Sequence, residues 1–146
     1  MSATGLDVFD KTLQTTNTWL KEIASVPGPD RQRAWRALGA VLRALRDRLT
    51  LDEAAHLGAE LPLLVRGLYY DQWRPSEQTV PVRKREEFLA MIEDNLADTG
   101  TIDPEDAARA VFGVLDRHLA CGEVAQVKKM LPAEVRTLWP DQTGMP

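Results

Sequence analysis

The chemically reactive side chains of this sequence are few. His118 and Cys121 are three residues apart, and a neighbouring imidazole could lower the pKa of the thiol and make it a nucleophile. Cys121, however, aligns with Leu51 when the chain is compared with itself, which favours a small buried side chain. Two histidines and one cysteine, without paired CxxC or HExxH spacing, are too few for a closed zinc site. We therefore expect no catalytic residue, no metal and no cofactor.

Two glutamates and a row of arginines are the next candidates. Glu53 and Glu123 occupy equivalent positions and could act as an acid–base pair, but each lies at a predicted helix start, where capping explains the residue type. Arginines also recur on the polar face of one predicted helix, where they could face an anionic ligand or an acidic partner. An ordinary solvated face would give the same pattern. The residues of this candidate stripe are Arg33, Arg36, Arg43 and Arg46.

The segment RGLYYDQWRP, residues 66–75, has the composition of a binding surface. Tyrosine, tryptophan and arginine are enriched at the energetic centres of protein interfaces. A linker held against the body by its aromatic rings would have the same composition. Nucleic-acid binding is not expected, because the chain has a net charge of −4 and shows no basic groove beside the rings. The candidate partner surface consists of Arg66, Tyr69, Tyr70, Asp71, Trp73 and Arg74.

These candidates belong to a chain that repeats itself. Residues 37–69 and 107–139 align without a gap at an offset of 70, with 12 identities in 33 positions. Both copies show apolar residues at helical spacing and a Leu-Pro break, so the pattern predicts an all-α bundle of about eight helices. The predicted units are one domain over residues 1–146, a first repeat at about 17–69, a linker at 70–85 and a second repeat at about 86–139.

Capping signals predict where two helices begin. Thr50 and Glu53 match a capping box, which starts a helix over about 51–60. Asp103 followed by Pro104 supplies a cap and a proline in the first turn.

Apolar spacing predicts two further helices. In a short helix over about 62–68, we expect Leu64, Val65 and Leu68 to point inward. The polar run Thr15–Thr18 could fray or break the N-terminal helix. The apolar face of that helix is predicted to contain Leu6, Phe9, Leu13, Leu20 and Ile23.

Composition limits the class of protein. The chain of 146 residues is 44% hydrophobic and 27% charged, has no apolar run long enough to span a membrane and shows no secretory signal. One cysteine fits a reducing compartment, so we expect a cytoplasmic protein. Residues 17–85 hold twelve basic and eight acidic side chains, whereas residues 86–146 hold five and twelve. The two halves could attract each other or a neighbouring subunit.

Three segments resemble a bacterial family filed as domain of unknown function 2267: WLKEIA, LGAVLRALRDRLTLDEAAHLGAELPLLVRGLYYDQWRP and EEFLAMI. The resemblance covers roughly residues 6–140 and is most specific in the first copy, since the second keeps the apolar skeleton and the Leu-Pro break. It implies helix–helix–Leu-Pro–helix units, often in tandem, and supplies no catalytic residues.

Function is therefore expected at a surface. We expect a non-enzymatic cytoplasmic interaction or regulatory module that binds a protein partner or a second copy of itself. The alternative is a small-molecule-binding protein or an enzyme with its site between the two halves.

Overall fold

The computed structural model describes residues 4–24, 31–96 and 102–140. Within these ranges the chain forms eight α-helices and no strand, which confirms the predicted all-α class. A short 3-10 turn, Pro75–Glu77, lies in the linker. The helices are α1 Asp7–Ala24, α2 Arg31–Arg48, α3 Leu51–Glu60, α4 Leu63–Tyr70, α5 Arg85–Asn95, α6 Pro104–His118, α7 Cys121–Met130 and α8 Ala133–Arg136.

Several helix boundaries in the two sequence copies lie 70 residues apart. Helices α3 and α7 begin and end at positions 70 residues apart, and α4 and α8 also start 70 apart, each after a proline N-cap. The Thr50 hydroxyl accepts a hydrogen bond from the Glu53 N–H at 3.2 Å, as predicted. The Glu53 carboxylate accepts a bond from Gln126 of α7 at 3.2 Å, so this residue joins the two copies. Asp103 caps α6 as expected, accepting from the Asp106 N–H at 3.0 Å.

Both copies contribute to one cluster of buried apolar side chains. Helix α2 lies at its centre and packs against α1, α4, α5 and α6. Phe112 of α6 stacks on Trp139 with ring centroids 4.3 Å apart, and Phe88 of α5 lies 6.1 Å from Phe112. Such rings provide large apolar areas for the core. The small-molecule site between the halves, which the alternative function would require, stays a prediction.

The linker is attached to the C-terminal end of α2. The Gln78 side-chain amide donates to the carbonyls of Arg46 and Leu49, both at 2.5 Å. The Val80 N–H donates to the Asp47 carbonyl at 3.0 Å. The last carbonyls of a helix have no intrahelical partner, so these bonds satisfy α2 and fix the path of the linker.

Three local predictions were wrong. Helix α1 runs unbroken through Thr15–Thr18, because Thr16 is buried against the body and Thr18 bonds back to the Gln14 carbonyl. Leu64 is exposed, because α4 packs through Val65 and Tyr69. Cys121 is exposed at the start of α7, where Val124 and Val127 form the buried face.

Candidate interaction surface

Tyr69, in the predicted partner surface, is part of the core. Its side chain is fully buried, and its hydroxyl donates to the Ala54 carbonyl of α3 at 2.7 Å. Burial raises the pKa of Tyr69 well above its ordinary value, because a phenolate would lose its hydration. This ring holds α4 against α3 and is not available to a partner.

The next two aromatic rings are half-buried against the same helices. Tyr70 stacks on Trp73 with ring centroids 5.3 Å apart, and the Trp73 indole N–H donates to Gln78 at 2.7 Å. The Tyr70 ring covers Gly58 so closely that a Cβ added there would lie 2.2 Å from the tyrosine oxygen. Gly58 therefore leaves the space that the Tyr70 ring occupies.

The charged members of the predicted partner surface divide into two groups. Arg66 is half-buried and donates to the carbonyls of Ala59 and Leu61 at 3.3 and 3.0 Å, which closes the corner between α3 and α4. Asp71 and Arg74 are exposed, and each pairs with a neighbour: Asp71 with Arg43 at 3.4 Å, and Arg74 with Glu77 at 3.4 Å. The segment presents Asp71 and Arg74 to solvent and buries Tyr69. Its role as a partner surface stays a prediction.

The predicted arginine stripe does not lie on one exposed face. Arg36 is exposed, and Arg33 and Arg43 are half-buried, but Arg46 is only 4% exposed. The Arg46 guanidinium donates to the carbonyls of Tyr69 and of the C-cap residue of α4, both at 2.9 Å. A cation at the C-terminal end of α4 satisfies orphan carbonyls and complements the helix dipole. Assigning Arg46 to a solvent-facing stripe was therefore wrong.

Histidine and carboxylate side chains join α1 to α6. His118 is exposed, stacks on Trp19 at 5.6 Å and lies 2.9 Å from the Glu22 carboxylate, which also pairs with Arg117 at 2.8 Å. Burial alone would raise the pKa of Glu22, but the bonds to His118 and Arg117 outweigh it, so this pKa is lowered. Among the described residues, no group of three or more histidine, cysteine or carboxylate side chains could hold a metal.

A different surface stands out by its exposed apolar side chains. Seven large hydrophobic residues in the described ranges are exposed, and six of them lie just before α1, along its first half and in the first turn of α4. The seventh, Leu51, begins α3 and is 48% exposed. We call the six residues the α1/α4 face. Their exposed fractions are 52% for Leu6, 56% for Val8, 49% for Phe9, 40% for Leu13, 51% for Leu63 and 39% for Leu64.

The heptad spacing of α1 explains why this face exists. Leu6, Leu13 and Leu20 are seven residues apart, and so are Phe9, Thr16 and Ile23, so all six share one stripe of the helix. Thr16, Leu20 and Ile23 are buried against the body. Leu6, Phe9 and Leu13 are exposed. The core-facing stripe of α1 thus continues toward the N-terminus beyond the helices that cover it.

One hydrogen bond connects the two parts of the α1/α4 face. The Thr12 hydroxyl accepts from the Leu64 N–H at 3.0 Å, which satisfies an orphan donor in the first turn of α4 from a different helix. A groove of about 310 Å³ follows this contact, and its walls include Phe9, Leu13 and Leu63. A second groove of about 410 Å³ lies nearby and includes Lys11 and Arg66.

Sequence reasoning placed Leu6, Phe9 and Leu13 on the apolar face of the N-terminal helix and Leu64 inward, and it did not single out Val8 or Leu63. The spacing of Leu6, Phe9 and Leu13 predicts a shared face, and spacing alone cannot tell whether another helix covers it. One signal was available in the comparison of the copies. The positions equivalent to Leu63 and Leu64 hold Ala133 and Glu134, so apolar character at this site is not needed by the shared skeleton.

The sequence as a whole places the chain in a family. Residues 16–138 match the model of an uncharacterised conserved protein, domain of unknown function 2267, and the chain belongs to that family. A comparison with curated proteins gives no match. None of the helices in the described ranges is long and apolar enough to cross a membrane.

Proposed function

We propose that this chain is a non-enzymatic helical interaction module that binds protein through the α1/α4 face. The observation that carries the proposal is the gathering of six exposed large apolar side chains on adjoining parts of α1 and α4. Exposed apolar side chains scattered singly need no explanation, whereas a contiguous patch beside a groove is typical of an interaction site. The enzyme alternative has no comparable support.

The charges beside this face favour a protein over a membrane surface as its occupant. Helices that lie on membranes carry many lysines and arginines on their polar side. The first half of α1 carries Asp7, Asp10 and Lys11 instead. The proposal places the module in the cytoplasm, because the exposed thiol of Cys121 suits a reducing compartment.

Site-specific photo-cross-linking tests this proposal. A photoreactive amino acid replaces Leu63 in one variant and Leu51 in another, and both are irradiated in the cells that express the chain. The two leucines form a matched pair, since each is the first residue of a helix and they are 51% and 48% exposed. We expect a protein adduct from position 63, identified by mass spectrometry, and none from position 51. Absence of a protein adduct at 63, or equal adducts at both positions, would refute the proposal.

A further inference from the structure

We infer that the occupant of the α1/α4 face is a second copy of this chain, so that the module is a symmetric homodimer. This inference rests on the proposed function and names the partner at the same site. It is carried by three properties of the face: its shape, its area and its charge.

The shape of the face allows it to pair with itself. A two-fold interface brings the same patch of both subunits together, so one patch must supply both a ridge and a groove. The ridge here is Leu6 and the exposed half of α1 that follows it, with Phe9 and Leu13 along it. The groove of about 310 Å³ lies between that ridge and α4, so that Phe9 and Leu13 line it from α1 and Leu63 and Leu64 line it from α4. The ridge of one copy can enter the groove of the other.

The area of the face matches what a stable dimer needs. Six residues that are 39–56% exposed present a patch of roughly several hundred Å² of largely apolar surface. A standard interface buries about 800 Å² on each partner, and about 65% of a homodimer interface is apolar. The apolar part of such an interface is therefore about 520 Å² on each partner, which is the order of size that the α1/α4 face provides.

The charges around the face do not oppose a second copy. The charged residues on and beside it are of both signs: Asp7, Asp10, Lys11, Glu60 and Arg66. Two copies placed face to face would therefore meet no strong like-charge field, although each chain has a net charge of −4. A strongly charged partner, by contrast, would find no complementary field here.

Sedimentation equilibrium of the full chain tests the inference between about 1 µM and about 500 µM. We expect a dimer for the natural chain. Leu63→Glu should raise the dissociation constant at least ~tenfold, because a carboxylate would be buried without a partner in the contact. The matched control is Leu51→Glu, which makes the same change at the first position of α3 and should leave the dissociation constant unchanged. Circular dichroism checks that each variant is folded.

A second variant covers the case in which Leu63→Glu does not fold. Leu63→Ala combined with Leu64→Glu installs the residues that the second copy already has at these positions, Ala133 and Glu134. It should be folded and monomeric at concentrations where the natural chain is dimeric.

The outcomes separate this inference from the proposed function. A natural chain that stays monomeric throughout, with an adduct at position 63 to another protein, overturns the dimer and leaves the interaction module standing. A dimer that tolerates both Leu63 variants uses another surface and also overturns the inference. A monomer without any protein adduct, which pellets with phosphatidylserine vesicles unless Leu63→Glu is present, overturns both ideas in favour of a membrane surface.

Discussion

Helix α4 begins with two exposed leucines, Leu63 and Leu64, whereas α8 begins with Ala133 and Glu134 at the equivalent positions. Both helices follow a proline N-cap with nearly the same backbone conformation, and both bury an equivalent valine, Val65 or Val135. At the start of these helices the buried valine is thus shared, and the two exposed residues before it are not. The Glu134 carboxylate accepts a hydrogen bond from the first N–H of α5 at 3.3 Å, so the polar side chain at this position makes a contact within the second copy.

Helices α1 and α5 also differ outside the part that the two copies share, because α1 is longer at its N-terminal end. Trp19 corresponds to Phe88 at an offset of 69, which makes Arg85, the first residue of α5, the counterpart of Thr16. The nine residues of α1 that precede Thr16 therefore have no helical counterpart in α5. These nine residues include the exposed Phe9 and Leu13. The comparison teaches that the skeleton shared by the copies builds the core, and that the added half of α1 contributes exposed apolar side chains to the α1/α4 face.

The largest effect is expected from replacing the aromatic residue that ends each copy, and it tests whether the two residues have equivalent places in the core. Tyr69 and Trp139 are 70 residues apart and both are buried. We expect Tyr69→Ala and Trp139→Ala each to lower the free energy of unfolding by about 3–5 kcal/mol, because each leaves a large cavity. Urea unfolding at a single chain concentration measures the change.

Tyr69→Phe is the control for the aromatic ring alone. It removes the hydroxyl that bonds to the Ala54 carbonyl and should lower the stability by about 1 kcal/mol. If Tyr69→Ala changed the stability by less than ~1 kcal/mol and dissociated a dimer instead, the aromatic segment would be a contact surface and the comparison would fail.

A smaller effect is expected at Gly58, whose counterpart in the second copy is Lys128. Lys128 lies over the Trp139 ring at 5.3 Å, whereas Gly58 leaves room for Tyr70. Ala in place of Gly within a helix usually stabilises by about 1 kcal/mol. Here we expect Gly58→Ala to destabilise by about 1–2 kcal/mol, because the new methyl group collides with the Tyr70 ring.

The matched control for this substitution is a Tyr70→Ala background. Without the ring, Gly58→Ala should show only the favourable helix propensity and raise the melting temperature. If Gly58→Ala changed the stability in the same direction in both backgrounds, the Tyr70 ring would not rest on Gly58. Tryptophan fluorescence of the single variant reports on Trp73, which stacks on Tyr70.

These residues show what could be read from the sequence and what could not. The helix α3 and the caps at Thr50 and Asp103 follow from local spacing and capping chemistry, and they were predicted. The inward position of Arg46 was not, because its partners are carbonyls about 25 residues further along the chain. The exposure of Phe9 was missed for a related reason, since burial depends on which helix covers a stripe.

The smallest effect concerns the equivalent carboxylates Glu53 and Glu123, which lie where α3 meets α7. Burial raises the pKa of Glu123, Glu60 and Glu53 raise it further, and His56 opposes them. The folded protein therefore binds this proton more tightly than the unfolded chain does. The resulting stability is present below the unfolded pKa of 4.5 and is lost as the pH rises through the folded value.

Glu123→Gln should consequently stabilise the protein at pH 7, by less than about 1 kcal/mol because solvent screens this half-exposed contact. The gain should disappear below about pH 4, where the natural glutamate is protonated in both states. Urea unfolding at the two pH values measures it, with Glu93→Gln on the exposed side of α5 as the control. A loss of stability at pH 7 would mean that the Glu123 carboxylate is needed in its charged form at the start of α7. Its role would then be like that of Glu53, whose carboxylate accepts a hydrogen bond across the contact, and the two copies would be more alike here than the raised pKa of Glu123 implies.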